Sequence, residues 1–404
     1  MTVSSSLALG EGGVRNESFR RDPTPPPDLL PQGEEGKIVI AAGGTGGHLF
    51  PAEALAGELL RRGRRIALLT DARSGATASP VFSGQDRFVL RGAGMAGRGA
   101  LRAGGAAVAL SAGVTQARSL LGRLRPTAVV AFGGYPAVGP VLGARLLRSR
   151  PSIVLHEQNA VLGRANRFLA RYADLLALSF AQTQRVPAGC RTETTGNPVR
   201  TPILDLAGSD YALPEQRICL LVLGGSLGAR VFSEVVPAAI ASLPDAVLGR
   251  LHIVQQCRPE DLDRVRATYA ALAIPAELSS FFPDVADRLA AAHVVIARAG
   301  ASTVAELAIA GRPAVLVPLP GAIDDHQTAN AAALTAAGGA VLIAQPDFTP
   351  AVLCARLAAW LSEPDRLAQA AAATRSLARP DASVRLADAV EAVIRRGARM
   401  GDVA

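Results

Sequence analysis

The chain has 404 residues, 49% hydrophobic and 19% charged, which is ample material for two or three cored domains and excludes a globally disordered chain. Aromatics at 4% argue against base-stacking platforms for single-stranded nucleic acid, and four cysteines with no C-x-x-C spacing argue against a zinc or redox motif and a disulfide framework. The net charge of +8 is segregated: −3 over residues 1–36, +14 over 37–199 and −3 over 200–404, with ten arginines and no acid between Asp86 and Glu157, so the first half faces or tolerates something anionic.

Residues 1–36, rich in Pro, Gly and charge (TPPPDLLPQGEEG), read as a disordered extension or the product of a misplaced start codon. They lack the basic and apolar regions of a signal peptide. The uncharged run 126–144 holds three prolines and four glycines and does not read as a membrane-spanning helix. From Lys37 the pattern alternates. KIVIAA (37–42), RIALLT (65–70), AVVAF (128–132) and SIVLH (152–156) are apolar, β-branched runs with helical stretches between them; the first such helix opens at Pro51, a residue suited to a first turn. After Gly196-Asn197-Pro198 the scheme restarts with RICLLVLGG (217–225), HIVQQ (252–256), VVIARA (294–299), AVLVPLP (314–320) and AVLIAQ (340–345). Strands alternating with helices predict parallel sheets covered on both faces. The two halves open alike, KIVIAAGGTGGH at 37–48 and LLVLGGSLGAR at 221–230, which suits two Rossmann-like domains with a cleft between them, ligands lying beyond the carboxyl ends of the strands.

Several motifs fall at such strand ends. GGTGGH (43–48) matches neither the dinucleotide fingerprint nor a Walker loop, but its glycines leave backbone N–H groups uncovered for an oxygen-rich ligand. The competing reading is a tight turn. His48 ends this loop and is a candidate general base, because a near-neutral imidazole is ready to take a proton. GGSLGAR (224–230) repeats the device, with Ser226 either a phosphate donor or a helix cap. FGGYPAVGP (132–140) sets Tyr135 in a third glycine turn. HEQN (156–159) puts polar side chains at a strand end where a site belongs, unless Glu157 merely pairs with Arg164 or Arg167. Thr303-Val-Ala-Glu306 fits a capping box, against a reading in which Glu306 accepts hydrogen bonds from a ribose diol. DDHQTAN (324–330) is a weak metal motif; Gln327 and Asn330 suit sugar hydroxyls better.

Taken in this order, GGTGGH, GGY, HEQN, GNPVR (196–200), GGSxGA, RAGASTVAE and DxHQxxN resemble the MurG-type N-acetylglucosaminyltransferases of bacterial peptidoglycan synthesis, from about Lys37 to Arg396. The resemblance implies a GT-B fold of two Rossmann-like domains: 37–198, joined by a last helix 383–397, for acceptor and membrane, and 199–380 for the nucleotide donor. It implies inverting transfer of GlcNAc from UDP-GlcNAc to the muramyl 4-hydroxyl of lipid I, giving lipid II and UDP. It implies a peripheral enzyme on the cytoplasmic face of the inner membrane, touching anionic lipid, with no nucleic acid, metal or other cofactor. Carried onto matching positions, Thr45, Gly46 and Gly47 lie near the donor pyrophosphate and acceptor. Asn159, Arg200 and Ser226 contact the donor, the backbone of Phe282 reads uracil, and Ala301, Ser302, Thr303 and Glu306 line sugar and ribose, with Gln327 on GlcNAc. The chain departs from the pattern at Leu227, at Gln255-Gln256-Cys257-Arg258, at His326 and in a 320–327 loop one residue longer.

His48 is the first choice of base and Glu157 the second. Two rivals remain at this level. A UDP-GlcNAc 2-epimerase shares the fold but needs no lipid acceptor. A basic nucleic-acid or membrane adaptor explains the charge but leaves HEQN and the glycine loops without a role.

Overall fold

The computed structural model describes residues 36–43, 46–72, 79–90, 100–225 and 228–401. The expected disordered extension lies outside the described residues apart from Gly36. Strands β1 Ile38–Ala41, β2 Ile66–Thr70, β3 Asp86–Val89, β4 Ala128–Ala131, β5 Ser152–Glu157, β6 Leu175–Leu178 and β7 Thr192–Thr194 form one sheet, in the order β3-β2-β1-β4-β5-β6-β7. Strands β8 Ile218–Leu223, β9 Leu251–Gln256, β10 Ala276–Ser279, β11 Val294–Ala297, β12 Ala314–Leu316 and β13 Ala340–Leu342 form the second, in the order β10-β9-β8-β11-β12-β13. Every strand pairing in both sheets is parallel. In each, the opening strand lies in the middle and the order reverses beside it, as in doubly wound folds, where a crevice opens beyond the carboxyl ends of the strands.

The apolar runs produce this layering through the two-residue period of a strand. In β1, Ile38 and Ile40 point into a core with Leu55 and Leu59 of the helix Gly46–Arg61. Val39 and Ala41 point into the opposite core with Leu121 and Val141. In β8, Ile218, Leu220 and Val222 meet Phe232 and Ile240, while Leu221 meets Leu307. A strand buried on both faces cannot show polar alternation, which is why these runs read as continuously apolar. Truncating Leu59 to Ala would cost about 2–5 kcal/mol, because its fully buried side chain would leave a cavity in that core.

The last helix, Ala382–Gly401, leaves the second half and packs on the first sheet. Leu386, Val390 and Val393 enter the Ile38/Ile40 core, and Arg62 and Arg64 reach Glu391.

Two expectations need correction. The first helix begins at Gly46, not Pro51; Pro51 sits inside it, and its missing N–H leaves the Gly47 carbonyl without a helical partner. The Thr303–Glu306 capping box does not form. The helix Ala301–Ala310 has Gly300 as its N-cap, so Thr303 already lies inside the first turn and Glu306 is too far along to reach back.

Candidate active site

Loops following the carboxyl ends of strands in both sheets enclose a cleft of about 1300 Å³. Thr45 and Ser226 lie outside the described residues. The other site candidates line the cleft, Gly46, Gly47, His48, Tyr135, Glu157, Asn159, Arg200, Phe282, Ala301, Ser302, Thr303, Glu306 and Gln327, whereas Asn330, expected to suit sugar hydroxyls, is fully buried behind the lining with its amide taken up by protein.

His48 is fixed by the first turn of the helix Gly46–Arg61 and packs against the turn after β4. Gly133 and Gly134 there have φ of 77° and 67°, so they take a left-handed path that other residues rarely adopt. A Cβ on Gly133 would come within 2.9 Å of Asn166 Nδ2, and one on Gly134 within 3.5 Å of the His48 ring. At Gly133 the missing Cβ lets the backbone approach Asn166, whereas at Gly134 the contact with His48 is ordinary and the left-handed φ is what calls for glycine. Burial lowers the His48 pKa below the ordinary 6.5, with the Glu157 charge pulling it back up and His326 lowering it further. The imidazole is therefore neutral at pH 7, the form that accepts a proton.

The HEQN segment divides its labour. His156 is fully buried; Gln158 Nε2 donates to its Nδ1 at 3.0 Å, so its Nε2 carries the proton and donates to the Gly196 carbonyl at 3.1 Å. Burial drives its pKa to about 4, and the ring serves as a neutral tie between β5 and the crossover into the second half. Glu157 pairs with neither Arg164 nor Arg167. Its Oε1 accepts from Asn159 N and Nδ2, both at 3.0 Å, and its Oε2 from Gly163 N and Asn166 Nδ2, both at 2.9 Å. Four donors occupy the lone pairs of this buried carboxylate, which folds the loop 157–166 against the cleft wall. Asn159 in turn accepts from Asn330 Nδ2 at 3.1 Å, and Asn330 Oδ1 accepts from Ala160 N at 2.8 Å. The two halves are thereby stitched together at the cleft by a fully buried asparagine.

On the opposite wall, Glu306 faces the cleft without a capping duty. Surrounding protein strips enough water from its carboxyl to raise the pKa to about 7, against the lowering pull of Arg200. Arg200 lies 4.0 Å over the Phe50 ring, so a cation–π contact holds it between the halves. Ser302 Oγ is buried with no hydrogen-bond partner among the described residues. Gln327 Oε1 accepts from Leu319 N at 2.9 Å, which leaves its amide N–H groups for a ligand. Phe282 is buried under Arg288, whose guanidinium lies 4.1 Å from the ring centre, beside Phe281 at 68% exposure. Among the described residues no main-chain hydrogen bond engages its N–H or C=O. The carboxylates of DDHQTAN do not converge on a metal-like centre: Asp324 turns to arginines, and Asp325 accepts from Thr328 Oγ1 at 2.8 Å.

Sequence reasoning missed Gln256. Its Oε1 accepts from Gly224 N at 3.0 Å, while its Nε2 donates to Gly225 O at 2.9 Å and Ser280 O at 3.1 Å. One amide thus pins the second glycine loop to the segment before Phe282. The signal was its place at the carboxyl end of β9; a glutamine there reads as a side chain turned to water unless the loop's folding is known. Phe50 was missed because its spacing suits an ordinary helix face.

Residues 38–177 match the glycosyltransferase family 28 N-terminal domain, and residues 219–386 the C-terminal domain of the same family. A relative from Granulibacter bethesdensis is 63% identical over 88% of this chain and 93% of its own, and one from Gluconobacter oxydans is 51% identical over 89% and 99%. Both are named UDP-N-acetylglucosamine--N-acetylmuramyl-(pentapeptide) pyrophosphoryl-undecaprenol N-acetylglucosamine transferase. The crystal structure of MurG from Acinetobacter baumannii superposes with a TM-score of 0.69 at 31% identity, over 88% of this chain and 99% of that one.

Proposed function

This chain belongs to glycosyltransferase family 28 in both of its halves, and on that premise we propose how its cleft works. The protein is a UDP-GlcNAc-dependent hexosyltransferase of peptidoglycan synthesis. It moves GlcNAc from UDP-GlcNAc to the muramyl 4-hydroxyl of lipid I with inversion, forming lipid II and UDP. The observation that carries this reading is identity of 63% to a named relative over nearly the full length of both chains.

The chain's own residues divide the work. Residues 199–380 hold the donor, and residues 37–198 with the last helix, Ala382–Gly401, hold the acceptor. Glu306 accepts hydrogen bonds from the ribose hydroxyls, the main chain of Phe282 pairs with uracil, and Gln327 reaches the GlcNAc hydroxyls with Ala301, Ser302 and Thr303 beside it. The diphosphate lies at the glycine loop shaped by Gln256, where Ser226 and the N-terminus of the helix Arg230–Ile240 favour negative charge. Arg200 adds a full positive charge as UDP departs. His48, neutral and aimed across the cleft, takes the proton of the 4-hydroxyl as that oxygen attacks the anomeric carbon from the face opposite UDP. Glu157 was the second candidate base. With four donors on its oxygens, its role in this reading is to hold the loop carrying Asn159 and to bias the His48 charge. Gly46, Gly47 and Tyr135 border the acceptor beside His48, and Thr45 serves the same loop's contact with donor and acceptor in this reading.

The enzyme works as a peripheral protein on the anionic cytoplasmic face of the inner membrane. Among the described residues no helix is long and apolar enough to cross a membrane. The helices Ala100–Leu124 and Val138–Arg145 pack together, and Arg118, Arg123, Arg125, Arg145, Arg148 and Arg150 are exposed on them or just beyond, beside Leu146 at 58% exposure. Each arginine near such a leaflet contributes roughly 1 kcal/mol. Residues 94–99, Arg98 among them, lie outside the described residues.

Incubation with labelled UDP-GlcNAc, with and without lipid I, tests the function. Label should enter the lipid fraction only when lipid I is present. Conversion of the donor sugar without acceptor would indicate an epimerase instead.

A further inference from the structure

At the rim of the cleft, three guanidinium groups of the N-terminal domain surround one carboxylate of the C-terminal domain. Arg167 Nη2 donates to Asp324 Oδ2 at 2.7 Å, Arg185 Nη1 lies 2.5 Å from Oδ1, and Arg164 Nε is 4.0 Å from Oδ2. Arg164 and Asp324 both line the cleft. Asp324 is 15% exposed, whereas the side chains of Arg164 and Arg185 are 72% and 47% exposed. The arrangement is uneconomical for a simple ion pair. Two guanidinium charges are left over, because Asp325, next in the chain, is turned to Thr328. It is also held in unusual backbone. Of the five non-glycine residues with positive φ among the described residues, three are here: Arg185 at 62°, Asp324 at 57° and Asp325 at 51°. Such outliers persist where the surroundings over-determine them, and they concentrate at ligand clamps.

We infer that Arg164, Arg167 and Arg185 form the binding site for the diphosphate of the lipid acceptor, and that the Asp324 carboxylate occupies this site while the enzyme is empty. The inference rests on the proposed function, which supplies an acceptor carrying a diphosphate on the far side of its muramyl ring from the reacting hydroxyl. Its anionic site must therefore lie beside His48 and on the N-terminal domain. The cluster meets both conditions: the arginines belong to that domain, and Arg164 and Asp324 line the same cleft as His48. Planar guanidinium forks match phosphate oxygens as well as carboxylate oxygens. A diphosphate esterified at both ends carries two negative charges, so it neutralises more of the three guanidinium charges than the single Asp324 carboxylate does. When it enters, Asp324 withdraws and the 320–327 loop is freed, so the extra residue of that loop has a use.

Steady-state kinetics with a soluble short-chain lipid I analogue tests this, with acceptor and donor KM measured separately for Arg164→Gln, Arg185→Gln and Asp324→Asn. Each arginine substitution should raise the acceptor KM about tenfold, as expected for one lost charge-assisted contact, and leave the donor KM at its wild-type value. Asp324→Asn should lower the acceptor KM, since it removes the competing carboxylate. An acceptor analogue bearing a monophosphate should be discriminated against by wild type and much less by Arg185→Gln. If all three substitutions raise both KM values together, the cluster is only a clasp between the halves and the inference falls. If only the donor KM responds, the arginines serve the nucleotide and it falls equally. Absence of any transfer by wild type would instead overturn the proposed function.

Discussion

Glu306 offers the sharpest quantitative consequence of the cleft. Burial raises its pKa from 4.5 to about 7, so in the empty enzyme at neutral pH it is half protonated. A ribose diol donates to a carboxylate but gains less from a carboxylic acid, so donor binding draws off the proton. If only the ionised form takes both hydrogen bonds, apparent affinity for UDP-GlcNAc falls about tenfold per pH unit below 7 and is flat above it. Between pH 8 and pH 5.5 that amounts to a loss of about thirtyfold. UDP-GlcNAc is the right probe, because its diphosphate is esterified at both ends and, unlike free UDP, does not itself titrate near pH 6. Glu306→Gln keeps the size of the side chain but cannot ionise; it should bind about 10- to 100-fold more weakly at pH 8 and lose the pH dependence. The same group sets a stability trend. Its folded-state pKa lies above its unfolded value, so the unfolded chain releases the proton first, and stability of the empty protein falls as pH rises from about 4.5 to about 7. Glu306→Gln should therefore melt higher than wild type at pH 8. Isothermal titration calorimetry in two buffers of different ionisation enthalpy reads both affinity and proton release. Wild-type affinity that is flat from pH 5.5 to 8, or a Gln variant with unchanged affinity, would refute the assignment of Glu306 to the ribose.

Other substitutions separate roles that a single loss-of-activity assay would merge. His48→Ala should lower kcat by about 10²–10⁴ while UDP binding measured by calorimetry is retained, and the wild-type acid limb should lie below pH 6.5 because burial depresses the imidazole pKa. Gln256→Ala leaves the buried Gly224 N–H without its acceptor; a loss of about 1–3 kcal/mol in thermal or denaturant unfolding, together with a raised donor KM, is expected. Changing Arg118, Arg145 and Arg148 together to Gln should abolish most co-sedimentation with anionic vesicles. Wild-type binding should weaken with added salt, and equal binding to neutral vesicles would contradict the membrane face.

Much of this architecture is legible from the chain because buried parallel strands write themselves as apolar runs ending in glycine. The strands that escape notice fail for identifiable reasons. β3, β7 and β10 lie at sheet edges, and their exposed or half-buried residues carry Asp86, Arg87, Glu193 and Glu277 where an apolar pattern would be needed. β6 is fully buried, but LLAL follows a helical stretch without punctuation and reads as its continuation. Most of the described candidate residues converge on one cleft because strand ends and glycine turns are local signals. The hydrogen bonds that decide their roles are not local: Glu157 is saturated by residues up to nine positions on, Asn159 is tied to Asn330 across the cleft, and Asp324 is held by arginines more than 130 positions away. Spacing alone also suggested the Thr303–Glu306 cap. It could not show that the helix starts at Ala301, because Gly300 and Ala301 leave no strong start signal.

The central claim is inverting transfer to one hydroxyl, with His48 opposite the departing UDP. Determining the linkage and anomeric configuration of the GlcNAc in the purified lipid product by nuclear magnetic resonance tests it most directly. A β-linked GlcNAc on the muramyl 4-hydroxyl is the result the account predicts, since the donor sugar is α-linked to UDP and attack comes from the opposite face. An α linkage, or GlcNAc on any other hydroxyl, would contradict the account.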